Sequence, residues 1–335
     1  MSRAAGSPPT MLAIASALTV CAASCTPAPP DPLPPGTFAF GVYGDGPYYF
    51  WEDGRHRRLL ADAESAGLDW LVHVGDLLWK PCSDEAFLER RALLDALELP
   101  VIYTPGDNEW TDCHQEAPGG HDPLERLGSL RRIFFSDPET SLGGRPIPLV
   151  SQAASAEYTE FAENARWSRG GFVFATLHVV GSGNGSTPFP GRTASHDDEV
   201  HRRTEAAVAW LDETFADAEG NAAAGVVLIA HANVSLETGG LWDATSGSGG
   251  DPYEPFVTAL EGHVSRFAGP ILFIHGDSHE QRVDQPLRDG NGDVHDNFTR
   301  LETFGSPDIG WVRVVVDTVA ARFADFELRL MRGVF

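Results

Sequence analysis

Basic residues are scarce in this chain. It carries 24 Lys and Arg against 48 Asp and Glu, a formal charge of −24 over 335 residues. That balance excludes a surface that coats nucleic acid or a polybasic membrane patch. It also means that the protein's own field does not draw an anionic substrate in. A phosphate ester would need local metal charge to bind, and elsewhere the acidity serves solubility. Cysteine is sparse as well: Cys21, Cys25, Cys82 and Cys113, with no CxxC spacing of the zinc-binding kind. After residue 25 no run is apolar enough to span a bilayer. The Gly-rich run 181–185 has no following Lys, so it is not a P-loop but a plain loop lining a pocket. Asp289-Gly290-Asn291-Gly292-Asp293 begins like a calcium loop. It has Val294 where the turn needs Gly and Arg300 where the bidentate Glu belongs, so it reads as a surface hairpin.

The N-terminal end has a different character. Arg3 precedes an apolar stretch, 11–23, too short for a permanent span. The expectation is a signal peptide over 1–25. Ala22-Ala23-Ser24-Cys25 resembles a bacterial lipobox, although Leu is absent three residues before Cys25. Prolines 27, 29, 30, 32, 34 and 35 then make a stiff tether over 26–36. The chain is therefore expected to be exported, either soluble or touching a membrane only through a lipid on Cys25. In an oxidising compartment Cys82 and Cys113 read as a disulfide between two loops.

Residues 37–335 show no repeat and no composition break, and are expected to form one domain. Apolar runs at 37–43, 70–74, 101–104, 225–230 and 271–274 read as buried strands. Helices are expected near 55–66, 84–97, 197–218 and 253–267. In the second, Leu88, Leu93, Leu94 and Leu97 form the apolar stripe. Residues 158–166 and 171–180 read as paired strands around Ser168-Arg169-Gly170. The stretches 181–191 and 235–252 read as loops. Short strands near 281–283, 299–304, 311–317 and 322–328 should close the chain as antiparallel β. The β-α-β-α-β start implies a sheet with helical crossovers.

Each of the five buried runs is followed by a candidate ligand segment. They are Gly44-Asp45-Gly46, Gly75-Asp76, Gly106-Asp107-Asn108-Glu109, His231-Ala232-Asn233 and His275-Gly276-Asp277-Ser278-His279. Such sheets build their sites at strand C-termini. Asp, Asn and His from five loops suit a pair of Mn, Fe or Zn ions with a carboxylate between them.

In order and spacing these segments resemble the calcineurin-like metallophosphoesterase superfamily, over roughly 37–285. The wording Gly106-Asp107-Asn108-Glu109-Trp110 and His275-Gly276-Asp277-Ser278-His279 looks like that of a bacterial subgroup of it. The resemblance implies a four-layer α/β/β/α sandwich and hydrolysis of a small phosphomonoester or phosphodiester by a water activated between two divalent or trivalent ions. It implies that Asp45 and His279 serve metal one, Asp76 bridges, and His231 serves metal two. The family His two residues after Asp45 is replaced by Pro47, with Tyr48 as a substitute. Asp277 stands where another His is usual. In the third segment either Asp107 or Asn108 is the ligand. The usual acid His is absent, leaving Glu109, His114 or water. Extra carboxylates repel phosphate and weaken Lewis acidity. The alternative is accordingly a weakly active or non-catalytic metal-binding lipoprotein on a degenerate scaffold. His73 and His275 read as core or supporting residues and His178 as an outside candidate. Trp79 and Trp110 read as pocket walls or rim packing.

Overall fold

The computed structural model describes residues 32–236 and 251–332. The expected signal segment, Cys25, residues 26–31 of the tether and most of 235–252 lie outside these residues. The first half of the chain contains β1 (Thr37–Tyr43), α1 (Asp53–Ser65), β2 (Leu71–His73), α2 (Asp84–Asp95), β3 (Val101–Tyr103), α3 (Pro123–Phe134), β4 (Val150–Ser151), β5 (Ala165–Arg169) and β6 (Phe172–Thr176). There follow α4 (Gly181–Asn184), α5 (Ala194–Gly220), β7 (Gly225–Ile229), α6 (Glu254–Val264), β8 (Ile271–His275), β9 (Arg282–Asp284), β10 (Phe298–Glu302), β11 (Gly310–Asp317) and β12 (Arg322–Leu330).

Two sheets form, in the orders β12-β11-β1-β2-β3 and β4-β5-β6-β7-β8-β10-β9. They share one apolar interior. Phe38, Phe40 and Val42 of β1 enter it and meet Phe174, Ile229 and Ile274 of the other sheet. The alternate residues Ala39 and Tyr43 face the opposite way, onto Leu59, Leu60 and Ala63 of α1. That is the two-residue period of a strand covered on both faces, and the reason the run is apolar throughout. Trp210, Leu211 and Phe215 of α5 and Phe256 and Leu260 of α6 cover the outer face of the second sheet. The result is the α/β/β/α sandwich. Parallel pairing joins β1, β2 and β3, and also β6, β7 and β8.

Several elements depart from the sequence expectation. In α2, Leu88 is 56% exposed and the inward residues are Phe87 and Leu94. They stand seven residues apart, two turns on one face, and the larger aromatic takes the core. The hairpin strands are β5 and β6, with Arg169 opposite Phe172 and a two-residue loop of Gly170 and Gly171. Both glycines have positive φ, as a tight hairpin turn of this twist requires. Residues 158–164 are turns instead of strand, and they carry Glu163 and Asn164 inward.

β10 pairs parallel with β8, not antiparallel, and only β9 runs against it. α5 begins at Ala194, three residues before the acidic cluster at Asp197, because Thr193 and His196 cap it reciprocally. α3 lies in a stretch given no element above. Its start was legible: Asp122 accepts from the Leu124 and Glu125 amides, and Pro123 follows.

Candidate metal centre

The two sheets meet so that β1, β2 and β3 on one side and β7 and β8 on the other end at a common rim. There the five segments converge. Candidate ligand atoms of Asp45, Asp76 and His231 lie within 4.8 Å of one another, and so do those of Asp107, His231 and Asp277. His231 Nε2 is 2.9 Å from Asp107 Oδ1, 3.5 Å from Asp76 Oδ1 and 3.9 Å from Asp277 Oδ1. His279 Nε2 is 3.6 Å from Asp45 Oδ1. The Asp277 amide donates to Asp45 Oδ1 at 2.9 Å and joins the two halves of the cluster.

The backbone is shaped for this convergence. A methyl group at Gly106 would stand 2.1 Å from Asp76 Oδ1, and one at Gly276 2.0 Å from Asp45 Oδ2. Only glycine lets the carboxylates sit against these loops. Asp45, Asp76, Asp277 and His279 all have left-handed φ. Non-glycine residues held there cost roughly 1–3 kcal/mol each and concentrate at functional sites.

Both histidines are oriented for a cation. His231 Nδ1 donates to the Val74 carbonyl at 2.8 Å, and His279 Nδ1 donates to the Ser306 carbonyl at 2.7 Å. A carbonyl can only accept, so each Nδ1 carries a proton, and each Nε2 is left facing carboxylates, where it would be free to bind a cation. That is how a metal-binding His is held. Among the described residues no Lys or Arg pairs with Asp45, Asp76, Asp107 or Asp277. Buried carboxylates without a cation are expensive. This donor set fits metal ions of the Mn, Fe or Zn kind.

The electrostatics express the same imbalance. Burial pushes the Asp45 and Asp277 carboxyls up to about 6, and Asp76 well above the ordinary range. Burial also works to raise Asp107, but the His231 hydrogen bond and charge, with Ser182, outweigh it and hold this carboxyl low. His231 is raised: burial opposes, while Asp76, Asp107 and Asp45 prevail.

A carboxyl whose pKa rises on folding costs stability once ionised. For Asp45 and Asp277 the cost is absent below about pH 4, grows up to about pH 6 and is complete above that. Bound cations remove it. Adding Mn should therefore raise Tm more at about pH 7.5 than at about pH 5. Scanning calorimetry that finds an equal or smaller rise at the higher pH contradicts this.

Asp107 and Asn108 both enter the cluster. Asp107 faces His231, while the Asn108 side-chain amide donates to Asp76 Oδ2 at 2.6 Å. The Tyr48 hydroxyl donates to the same oxygen at 2.6 Å and lies 3.4 Å from His279 Nε2. Tyr48 is the tyrosine next to Pro47 that the sequence offered as a substitute there. Burial first, and then Asp76, push the Tyr48 phenol well up, so it remains a donor. Tyr48→Phe should weaken Mn binding by about tenfold, as loss of a ligand's supporting hydrogen bond does. An unchanged Mn titration refutes that role.

The two acids expected from the sequence are not so placed. Glu109 is fully buried and accepts from the backbone amides of Leu77 at 2.5 Å, Gly106 at 3.0 Å and Asp76 at 3.1 Å. Its carboxylate ties the second and third loops together and faces no solvent. His114 stacks on Phe189 at 4.4 Å and its Nδ1 meets the Thr111 carbonyl, outside both ligand groups. The short 3-10 turn Thr111–His114 turns it away.

Other residues lie in supporting positions. His178 pairs with buried Glu163, which also holds Arg131. His73 packs against Tyr43 and Tyr103. His275 is buried and held down at about 3. Trp110 is buried edge-on to His178, not at the rim. The sequence reading missed Ser182, whose hydroxyl contacts Asp107 Oδ2 at 3.0 Å and Asp112 Oδ1 at 2.7 Å. It sits in α4, inside the stretch expected to be loop, and no local signal marks it.

Cys82 and Cys113 are disulfide-bonded, with Cα atoms 5.7 Å apart and a sequence separation of 31. The bond joins the segment after β2 to the turn after β3, and both sulfurs lie against the Asn108 carbonyl. A loop of this length predicts about 3–4 kcal/mol of stabilisation. Cys82→Ala with Cys113→Ala should lose about that much in urea unfolding.

No family model matches the chain, and no curated protein matches its sequence. Among solved structures, TT1561 of Thermus thermophilus is similar at 12% identity and a TM-score of 0.45, over 88% of this chain and 100% of that one. A 5'-nucleotidase from Candida albicans is similar at 10% identity and a TM-score of 0.37. That match covers 84% of this chain and 51% of the nucleotidase, so this chain spans about half its length. Likeness this distant carries nothing about chemistry, which rests on the cluster itself.

Proposed function

We propose that this chain is a metal-dependent hydrolase of small phosphoesters, mono- or diester. The observation that carries this is the pair of histidines with Nδ1 committed to carbonyls and Nε2 turned to buried carboxylates at five strand ends. Four carboxylates carry four negative charges. Two divalent ions balance them, whereas one leaves a site that repels a phosphate anion. In this reading Asp76 would serve both ions, with Asp45 and His279 on one and Asp107, His231 and Asp277 on the other; His231 is common to both groups of converging ligand atoms. Asn108 and Tyr48 orient Asp76. Bound ions would supply charge stabilisation on the phosphoryl oxygens and a water made acidic enough to attack.

The test is metal analysis with a phosphoester panel. Chain loaded with Mn, Zn or Fe should turn over p-nitrophenyl phosphate or bis-p-nitrophenyl phosphate and lose this on chelation. A second reading, a non-catalytic or weakly active metal-binding lipoprotein on a degenerate scaffold, is favoured by one observation. Neither Glu109 nor His114 is positioned to deliver a proton to a leaving group. Less than one ion per chain, with no turnover, would establish that reading instead. Export and lipidation at Cys25 belong to the same proposal, and intact mass of the native protein tests them.

A further inference from the structure

We infer that residues 49–51, with Trp79, form a stacking platform for an aromatic ring carried by the phosphoester substrate. This rests on the phosphoesterase reading and narrows it. Tyr49, Phe50 and Trp51 are 37, 81 and 42% exposed. The other exposed large apolar residues among those described are isolated aliphatics. Single exposed apolar side chains are ordinary, but a contiguous aromatic run marks a contact surface.

The run has a defined shape. Tyr49 and Trp51 stack at 4.5 Å with planes 6° apart. Phe50 meets Trp51 at 5.0 Å and 78°, and Trp79 closes on Tyr49 at 5.8 Å. Trp51 and Phe50 therefore form a floor and a wall at nearly right angles.

The run is also held in place. The buried Glu52 carboxylate accepts from the Tyr48 amide at 2.8 Å, the Tyr49 amide at 3.3 Å and the Ser306 hydroxyl at 2.7 Å. Exposed aromatic rings on an anchored loop are pre-organised for contact, which lowers the ordering cost of binding.

Chain connectivity puts the platform at the metal site. Tyr49 follows Tyr48, whose hydroxyl binds Asp76, and Trp79 comes three residues after Asp76. At 3.8 Å per residue the Cα separations are at most about 4 and 11 Å. A phosphoryl group at the carboxylate cluster therefore has its alcohol portion within reach of these rings. Perpendicular aromatic faces reward a flat aromatic ring more than an alkyl chain. Lys80, the chain's single lysine, places Nζ 4.2 Å from the Trp79 centroid and adds a positive charge at this rim. The chain's charge of −24 disfavours an anionic lipid surface as the occupant.

The experiment is equilibrium titration of the Mn-loaded full chain with ethyl phosphate, phenyl phosphate and adenosine 5'-phosphate. At least one ring-bearing ester should bind about threefold to tenfold tighter than ethyl phosphate. Which one gains reports the spacing between phosphate and ring. Phe50→Ala and Trp51→Ala should bring that ratio toward one, and Tm measurements check that both variants fold.

Equal affinity for all three esters, or a ratio that survives both substitutions, overturns the platform. So does binding to phosphatidylcholine vesicles that needs Phe50 and Trp51 without any ring preference, which makes the patch a lipid contact. Hydrolysis is scored separately. Ring-dependent binding without turnover of any ester keeps the platform and removes the phosphoesterase reading, and turnover without ring preference does the reverse.

Discussion

Asp76→Asn should cut phosphoester turnover by at least about a thousandfold, because the loss of one bridging carboxylate removes several kcal/mol of transition-state stabilisation. Asp76 belongs to the group with Asp45 and His231 and accepts from Tyr48, the Asn108 amide and the Asn108 side chain. Asparagine keeps its shape and one accepting oxygen but not its charge. That charge is costly in the metal-free chain, since burial raises the Asp76 carboxyl well above its usual range. The metal-free variant should therefore melt no lower than the parent once the pH is above the ordinary carboxylate range, while its Mn affinity falls. Retained activity sinks the assignment of Asp76. A lower melting temperature with unchanged metal binding shows the carboxylate to be a structural acceptor.

Glu109→Ala should destabilise the fold by about 4 kcal/mol or more, since three buried amides lose their acceptor at roughly 1–3 kcal/mol each. The amides belong to Asp76, Leu77 and Gly106, so the second and third loops separate together. Urea unfolding measures the loss. The sequence also allows Glu109 to act as the catalytic acid. In that case stability is nearly unchanged, kcat falls, and the alkaline limb of the pH–rate profile disappears. The two outcomes do not overlap. Glu109→Gln helps to separate them, because it retains one accepting oxygen and should keep part of the stability.

The positions of the candidate ligands were legible because parallel strands buried on both faces must be apolar, so each run ends where polar residues begin. Asp45, Asp76, His231 and Asp277 could therefore be picked out one strand end at a time. α3 was equally legible from Asp122 and Pro123. The stretch 158–164 was not, because Phe161 and Tyr158 imitate a strand, while the chain there turns to bury Glu163 against Arg131 and His178. The parallel direction of β10 was also hidden, since direction depends on which neighbour a strand meets and not on its own residues.

By itself the sequence determined the layered α/β class, the strand ends that hold acidic and imidazole groups, and the Cys82–Cys113 pair. Each follows from local period or residue type. The tertiary structure decided what those groups face. Asp107 points to His231, Asn108 and Tyr48 to Asp76, and Glu109 to three backbone amides. Adjacent residues on a tight turn diverge by the width of a side chain. The partner each one meets comes from a strand dozens to hundreds of residues away. That is why the directions of Asp107 and Asn108 were open in the sequence and depend on how the strands around them pack.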